Sequence, residues 1–289
     1  MVFEQIYRVD FLRRQPWFAL FLGVGYSVLA IAIALFTFPQ DPALIAVAII
    51  SILFIPSLAE LMGGTERQAR STARTTLDLV RTTYTIAKPA ILIYVFAFLG
   101  MFLVFAFFAL ALPQLATNVL FKQQLEVLTG PSGQAIAFST PLFRDLLINN
   151  FLVLILCFTI SVVAGNGSIL FIAWNASVWG TIFGTLAKTT ATQIQGSPAI
   201  IFLLIMLSVV PHMMIEILSY ILAAVSGTML SDGLVSERLT GLPFSNIMRR
   251  VIVLLVAALA VVVIGALVET FVLGNFTTYA KIITLSFAR

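Results

Sequence analysis

The sequence predicts an all-α protein that crosses the membrane several times, and three observations carry this prediction. Of its 289 residues, 61% are hydrophobic and only 10% are charged, whereas ordinary soluble domains carry about 25% charged residues. Seven apolar segments are each long enough to cross a bilayer core of roughly 30 Å as a helix. The basic residues cluster on alternate sides of these segments. The composition does not fit a soluble globular domain, and we expect no nucleic-acid partner.

The seven predicted spans cover residues 17–38, 43–63, 89–113, 147–165, 168–187, 198–227 and 251–274. The apolar core of the first segment, about 22 residues, is too long for a typical signal peptide, and no cleavage site follows it. We therefore interpret it as a retained span. The fourth and fifth segments are separated only by the tight turn Gly165-Asn166-Gly167. This turn decides the number of crossings and hence the side of the C-terminus.

The distribution of Lys and Arg predicts the orientation. With the N-terminus inside, the inside segments hold eleven of the 16 basic residues, namely Arg8, Arg13, Arg14, Arg67, Arg70, Arg74, Arg81, Lys88, Arg238, Arg249 and Arg250. The outside segments hold Lys122, Arg144, Lys188, Lys281 and Arg289. Because short cytoplasmic loops are enriched in Lys and Arg, we expect a multi-pass protein of the cell membrane with a cytoplasmic N-terminus and an outside C-terminus.

Four arginines follow the second span, Arg67, Arg70, Arg74 and Arg81. On a single helix over residues 64–88 they would share a stripe about 60° wide. One interpretation is a cytoplasmic linker helix that rests on anionic headgroups, at about 1 kcal/mol for each basic residue near the surface. The other is a docking face for a cytoplasmic protein. Both interpretations stay open.

The fifth span carries a ridge of small residues, Ala176, Gly180 and Gly184. Such ridges let helix backbones approach closely in lipid, where packing and hydrogen bonds drive helix association. We expect the ridge to pack within the chain, although the pattern also allows a homo-oligomer.

His212 and Glu216 lie one helical turn apart near the middle of residues 198–227, which contain no other charged residue. An ionised side chain near the bilayer midplane costs about 2.5–3.5 kcal/mol even on the insertion scale. Pro211 removes a backbone donor beside the pair, so we expect the sixth span to be kinked or broken there. By residue type, the nearest polar partners on neighbouring spans are Asn149, Asn150 and Asn175. The pair is open to interpretation as a structural lock, as part of a proton or ion path, or as catalytic.

No known catalytic pattern occurs. The chain lacks G-x-S-x-G, H-E-x-x-H, Walker A and CxxC motifs, each of which supplies a defined chemistry. One histidine and one cysteine do not provide the usual ligand set of a zinc site. Asp10, Glu60 and Glu269 lie near predicted span ends, where we expect solvated or capping roles. We therefore expect no enzymatic activity, cofactor or metal.

Two segments resemble the stage II sporulation protein M family. PHMMIEILSYILAAVSG at 211–227 is similar to that family's Pro-His-Gly-x-x-Glu segment, with Met213 in place of the glycine. NNFLVLILCFTISVVAGNGSILFIAWNASVWGTIFG at 149–184 is similar to its Asn-led span and glycine turn. The resemblance covers about 89–275. It implies a five-span core with the N-terminus inside, a loop outside after the first span and the C-terminus outside, in agreement with the charge distribution.

The predicted domains follow from this resemblance. Residues 1–63 form an N-terminal segment and two-span hairpin, 64–88 a basic linker helix, 89–275 the five-span core and 276–289 a tail. Sporulation members of the family are regarded as scaffolds that gather cell-wall hydrolases at the septal membrane. The resemblance therefore implies a non-enzymatic membrane scaffold.

We expect its partners to be anionic headgroups on the cytoplasmic side and a membrane or extracytoplasmic protein. They would meet the chain at 64–88 and at the outside loop 114–146. The rival hypothesis is a small transporter or channel that uses His212 and Glu216 at a broken midplane helix, and an intramembrane enzyme ranks third.

Overall fold

A computed structural model describes residues 9–129, 140–275, 281, 282 and 285. Its α-helices are α1 (Val9–Arg14), α2 (Phe18–Thr37), α3 (Pro42–Ala69), α4 (Thr76–Ala111), α5 (Gln114–Leu120), α6 (Lys122–Thr129), α7 (Thr140–Ala164), α8 (Ile169–Ile194), α9 (Pro198–Ser236) and α10 (Leu242–Asn275). A 3-10 turn, Gly165–Ser168, joins α7 to α8. These described ranges contain no β-strand. The prediction of an all-α polytopic membrane protein is confirmed.

Six stretches of the described residues are long and apolar enough to cross a membrane: α2, α3, α4, 143–193, α9 and most of α10. The stretch 143–193 holds both α7 and α8 and is 51 residues long. A straight helix of that length would measure roughly 77 Å, more than twice the bilayer core. The chain turns instead at Gly165, whose φ of +58° is left-handed and is accessible to glycine at little cost.

α8 runs parallel to α4 through the small-residue ridge. Gly180 lies against the backbone of Phe102, where a Cβ would approach the Phe102 carbonyl oxygen to 2.6 Å. One turn later, a Cβ on Gly184 would approach the Ala106 carbonyl oxygen to 2.8 Å. Ala176 is fully buried as well. The ridge predicted in the fifth span thus faces α4 of the same chain.

α7 runs in the direction opposite to α8. In its first half, Asn150 lies beside Glu269, which is close to the end of α10. At its end, Gly165 accepts a hydrogen bond of 3.0 Å from Thr228 Oγ1, towards the end of α9. α9 and α10 form an antiparallel pair, so a helix that passes from the end of α10 to the end of α9 runs parallel to α9. α7 therefore runs parallel to α9, and α8 runs in the opposite direction beside α4. Seven crossings remain our prediction, and these directions support it.

The N-terminal pair α2 and α3 packs against α4, the first long helix of the predicted core. Gly23 of α2 and Gly100 of α4 meet at the crossing of the two helices. A Cβ on Gly23 would approach the Ala97 carbonyl oxygen to 2.5 Å, and a Cβ on Gly100 would collide with the Leu20 carbonyl oxygen. The backbones of α2 and α4 therefore touch without intervening side chains.

α9 continues through Pro211 as one helix of 39 residues, which differs from the predicted break. A proline removes one backbone donor, and neighbouring helices in a bundle can compensate for this loss. Pro211 points outward, while the next two residues, His212 and Met213, are buried. Packing on the inner side of this turn holds the helix together.

The basic segment 64–88 is not a single helix, in contrast to the prediction. α3 ends at Ala69 and α4 begins at Thr76. The Ala69 carbonyl oxygen accepts a hydrogen bond from Arg250 Nε at 3.1 Å. Thr75 then caps the new helix, because its hydroxyl oxygen accepts from the Asp78 backbone N–H at 3.1 Å. Tertiary hydrogen bonds thus interrupt a segment whose local pattern favours one continuous helix.

The predicted outside loop contains α5 and α6, which return onto α8. Lys188 Nζ donates to the Leu112 carbonyl oxygen at 2.7 Å and to Thr117 Oγ1 at 2.9 Å. Gln124 Nε2 donates to Ser177 Oγ at 3.3 Å. These bonds fix the first half of the loop, and residues 130–139 lie outside the described residues.

Candidate functional site

The candidate site is a buried acidic cluster enclosed by α7, α9 and α10. Glu216 of α9 is only 9% exposed, and Tyr220, one turn further along, is buried. The spacing of four residues places both side chains on the same face of the helix. The Tyr220 hydroxyl donates to Glu216 Oε1 at 2.7 Å. Glu216 thus has a hydrogen-bond partner within its own helix.

Glu269 of α10 brings a second carboxyl group to the cluster. It lies close enough to Glu216 for the two groups to interact electrostatically. Its Oε2 atom is buried and has no hydrogen-bond partner among the described residues. Two carboxylate charges close together in an apolar interior repel each other strongly. Protonation of at least one of the two carboxyl groups, or a bound cation, relieves this repulsion.

Asn150 of α7 lies beside Glu269. Its side chain is buried, and its Nδ2 donor has no partner within hydrogen-bond distance in the described part of the chain. Its Oδ1 accepts from Asn149 Nδ2 at 3.3 Å, and Asn149 itself is exposed. An amide donor and a carboxylate acceptor, each without a partner at hydrogen-bond distance among the described residues, thus lie beside each other.

His212 is buried at 7% exposure but does not pair with Glu216. No hydrogen bond or ion pair joins these two described residues, and His212 Nδ1 has no partner among the residues that the structure describes. Asn175 is also absent from the cluster, because its Nδ2 donates to the Phe171 carbonyl oxygen of its own helix at 2.8 Å. The predicted set of His212, Glu216 and three asparagines is therefore replaced by Glu216, Tyr220, Glu269 and Asn150.

Further buried polar groups continue from this cluster towards the 3-10 turn. Tyr220 and Tyr94 of α4 both lie near the buried thiol of Cys157. The Tyr94 hydroxyl is 3.5 Å from Asn166 Oδ1 and also lies near Ser168. Polar atoms thus extend through the bundle interior from α10 to α4.

The four arginines predicted as one stripe lie in different elements. Arg67 is in the last turn of α3, and its Nε donates to the Gly63 carbonyl oxygen at 3.1 Å. Arg70 forms an ion pair of 2.8 Å with Glu237. Arg74 lies in the linker between α3 and α4, and Arg81 is exposed on α4. All four remain at one end of the bundle, which we call the basic end: the end where α3 stops and α4 and α10 begin.

Sequence reasoning missed Glu269, Tyr220 and Arg250. Glu269 was expected to be solvated near a span end, and the structure corrects this. The signal was present, since Glu269 lies five residues inside the predicted span 251–274 and intramembrane acids mark functional sites by default. Arg250 resembled an ordinary juxtamembrane charge but is 1% exposed. Nothing in its local sequence distinguishes it from Arg249.

The fold and the cluster define a polytopic helical membrane protein with a buried pair of carboxyl groups in its bundle. Among the described residues, no group of three or more His, Cys, Asp and Glu side chains could hold a metal ion. Residues 90–272 match the family model of Stage II sporulation protein M. Because the match covers more than half of the chain, the chain belongs to this family. Comparison with curated proteins and with solved structures finds no significant match.

Proposed function

We propose that the chain is a non-enzymatic membrane scaffold that assembles partner proteins, with its N-terminus in the cytoplasm and its C-terminus outside. Family membership supports this proposal, as do the absence of catalytic motifs from the sequence and the 11:5 division of basic residues between the two sides. In this orientation α5 and α6 lie on the outer face, where an extracytoplasmic partner would meet them.

The observation that carries the proposal is the surface of α5. Lys188 anchors the start of this helix to α8, yet Leu115 is 80% exposed and Val119, one turn later, is also exposed. Both residues lie outside the long apolar stretches, and an exposed apolar surface on a fixed support is open to a protein partner. We propose that this surface, defined by Leu115 and Val119, receives the partner.

Site-specific photocrosslinking in native membranes tests the scaffold proposal. A photoreactive residue at Leu115 or Val119 should give discrete protein adducts, identified by mass spectrometry. The matched control is Leu203, an exposed apolar residue of α9 within the span, where we expect lipid adducts only. The same diffuse lipid adducts at all three positions would contradict a partner at α5.

A second candidate function is transport, and one observation favours it. A proton or cation relieves the repulsion between Glu216 and Glu269, and the Glu269 Oε2 and Asn150 Nδ2 atoms have no partner within the described ranges. Buried acidic residues of this kind occur on proton and ion pathways. Under this hypothesis, proton or cation flux into proteoliposomes would be lost in Glu216→Gln and in Glu269→Gln.

The matched control for the flux experiment is Glu60→Gln, because Glu60 is an exposed acid on α3. Flux that depends on Glu216 and Glu269 but not on Glu60 would overturn the scaffold proposal. Equal and negligible flux through all four proteins would leave the cluster with a structural role.

A further inference from the structure

The linker between α3 and α4 is fixed to the start of α10. Arg250 Nη2 donates to both the carbonyl oxygen and the hydroxyl of Ser71 at 3.1 Å. Asn246 Nδ2, one turn earlier, donates to the Arg70 carbonyl oxygen at 3.0 Å. A loop held by this many charge-assisted and amide bonds keeps its shape. Any site that it borders is therefore built in advance of binding.

A cavity of about 430 Å³ lies beside this linker. Arg74 of the linker and Arg249 of α10 border it, together with Ser71, Asn246 and Leu79. None of its lining residues carries a carboxylate. Both arginines are exposed, and neither forms an ion pair with any residue of the described ranges.

The described acidic residues near the cavity do not form ion pairs with Arg74 or Arg249. Arg70, at the same end of the bundle, is compensated by Glu237 at 2.8 Å. Asp78, the nearest acid along the chain, accepts from the Arg74 backbone N–H at 2.9 Å and borders a neighbouring cavity instead. Two guanidinium groups without an ion-pair partner are suited to a phosphate, whose oxygens accept paired N–H donors. Ser71 and Asn246 border the cavity, but their donors already bond within the protein.

Apolar residues adjoin the basic lining. Leu79 borders the cavity, and Leu77 of the same helical turn is 79% exposed. Val80, one turn beyond Thr76, is exposed as well. The cavity lies where α3 ends and α4 and α10 begin, beside the ends of three helices that are long and apolar enough to span a membrane. A ligand with a phosphate and an adjoining acyl chain satisfies both parts of the lining.

We propose that this cavity binds the headgroup phosphate of an anionic phospholipid, held between Arg74 and Arg249. The proposal is independent of the scaffold function, because it concerns the opposite end of the bundle from α5. It also replaces the predicted stripe of four arginines by a specific pair, one of which, Arg249, lies 175 residues from Arg74 in the sequence. The fixed linker brings the two together.

Lipid binding to the purified full-length chain tests the proposal. The protein in detergent is titrated with short-chain phosphatidylglycerol or phosphatidylcholine, and bound lipid is counted by native mass spectrometry. The wild type should prefer phosphatidylglycerol, and Arg74→Gln/Arg249→Gln should lose about tenfold in that affinity. Arg238→Gln is the matched control, since Arg238 is exposed at the same end but does not border the cavity.

Further variants keep the test decisive. Arg249→Lys retains the charge but not the paired donors, so its loss should be smaller than that of Arg249→Gln. The single variants are measured in parallel, so that a folding failure of the double variant does not end the experiment. Equal phosphatidylglycerol affinity in wild type and variants would overturn the proposal, as would equal binding of the two lipids. Displacement of the lipid by inorganic phosphate at equal concentration would overturn the lipid assignment in favour of a soluble phosphate.

Discussion

Glu216 and Tyr220 share a buried hydrogen bond, whereas His212 and Glu216 share none. This difference sets the expected energetics at the residue scale. Removing one member of a buried pair leaves the other unsatisfied, at a cost of about 1–3 kcal/mol. The side chain that couples to Glu216 is therefore Tyr220, although the sequence draws attention to His212.

We predict that Glu216→Ala and Tyr220→Phe are non-additive in free energy of unfolding, with a coupling of about 0.5–3 kcal/mol. The reversible unfolding of each single and double variant in mixed detergent micelles measures this coupling. His212→Ala combined with Glu216→Ala serves as the comparison, and its effects should add to within about 0.5 kcal/mol. A larger coupling for His212 than for Tyr220 would contradict the assigned hydrogen bonds.

Arg249 and Arg250 are adjacent and identical in type, yet their expected effects differ. Arg250 makes five hydrogen bonds, to Ala69, Ser71, Thr82 and Thr83. Hydrogen bonds to charged groups contribute about 1.5–3 kcal/mol each, so Arg250→Ala should cost more than about 3 kcal/mol. Arg249→Ala, at an exposed position, should change the free energy of unfolding by less than about 0.5 kcal/mol. Thermal denaturation in detergent compares the two variants. Similar losses of stability would show that the hydrogen bonds of Arg250 do not hold α10 to the linker between α3 and α4.

Part of the acidic cluster is predictable from sequence. A charged pair in the middle of an apolar span marks α9 as the helix of interest, and Asn150 follows from its residue type. The remainder is not predictable, because Glu216 and Glu269 are 53 residues apart and meet only through the antiparallel packing of α9 and α10. The hydrogen-bond partner of Glu216 depends on which neighbouring side chain has the length and direction to contact its carboxyl group. Periodicity places Tyr220 and His212 equally well.

At the scale of elements, the close crossing of α2 and α4 provides a direct test of helix packing. Gly23→Ala or Gly100→Ala would introduce a methyl group against a carbonyl oxygen of the other helix, and overpacking of this kind costs about 1–3 kcal/mol. Gly25→Ala is the matched control on the same helix, since a Cβ there meets nothing within 4 Å. It should be neutral or stabilise the protein by up to about 1 kcal/mol. Equal thermal stability of the Gly23 and Gly25 variants would show that the helices are further apart.

The long helices were predictable because apolar length dominates in a bilayer and overrides local signals. α2 matches its predicted span to within one residue at each end, whereas α3, α8 and α10 each extend past one end of the predicted span by six to nine residues. Local signals failed where tertiary contacts compete with them. Pro211 predicts a break that packing around His212 and Met213 prevents, and the helical pattern of 64–88 is interrupted at Ala69 by bonds from Arg250.

For the whole molecule, the topology is the prediction to check first. In a Cys157→Ser background, Lys122→Cys should react with a membrane-impermeant maleimide added to intact cells, because the positive-inside rule places α6 outside. Arg238→Cys should react only after the membrane is opened. Both positions are exposed, so accessibility depends on the side of the membrane alone. The reverse labelling pattern would invert the orientation.

Arg250 lies within the segment 90–272 that matches the family model, but each of its hydrogen-bond acceptors precedes residue 90. Within this chain, the family segment therefore takes every hydrogen bond of Arg250 from residues that precede it. If residues 1–89 were removed, Arg250 would lose its five hydrogen bonds together with the linker between α3 and α4 and the start of α4, which pack against it. The start of α10 would then have no support at the basic end, so residues 90–289 should be recovered in folded form less well than the full-length chain.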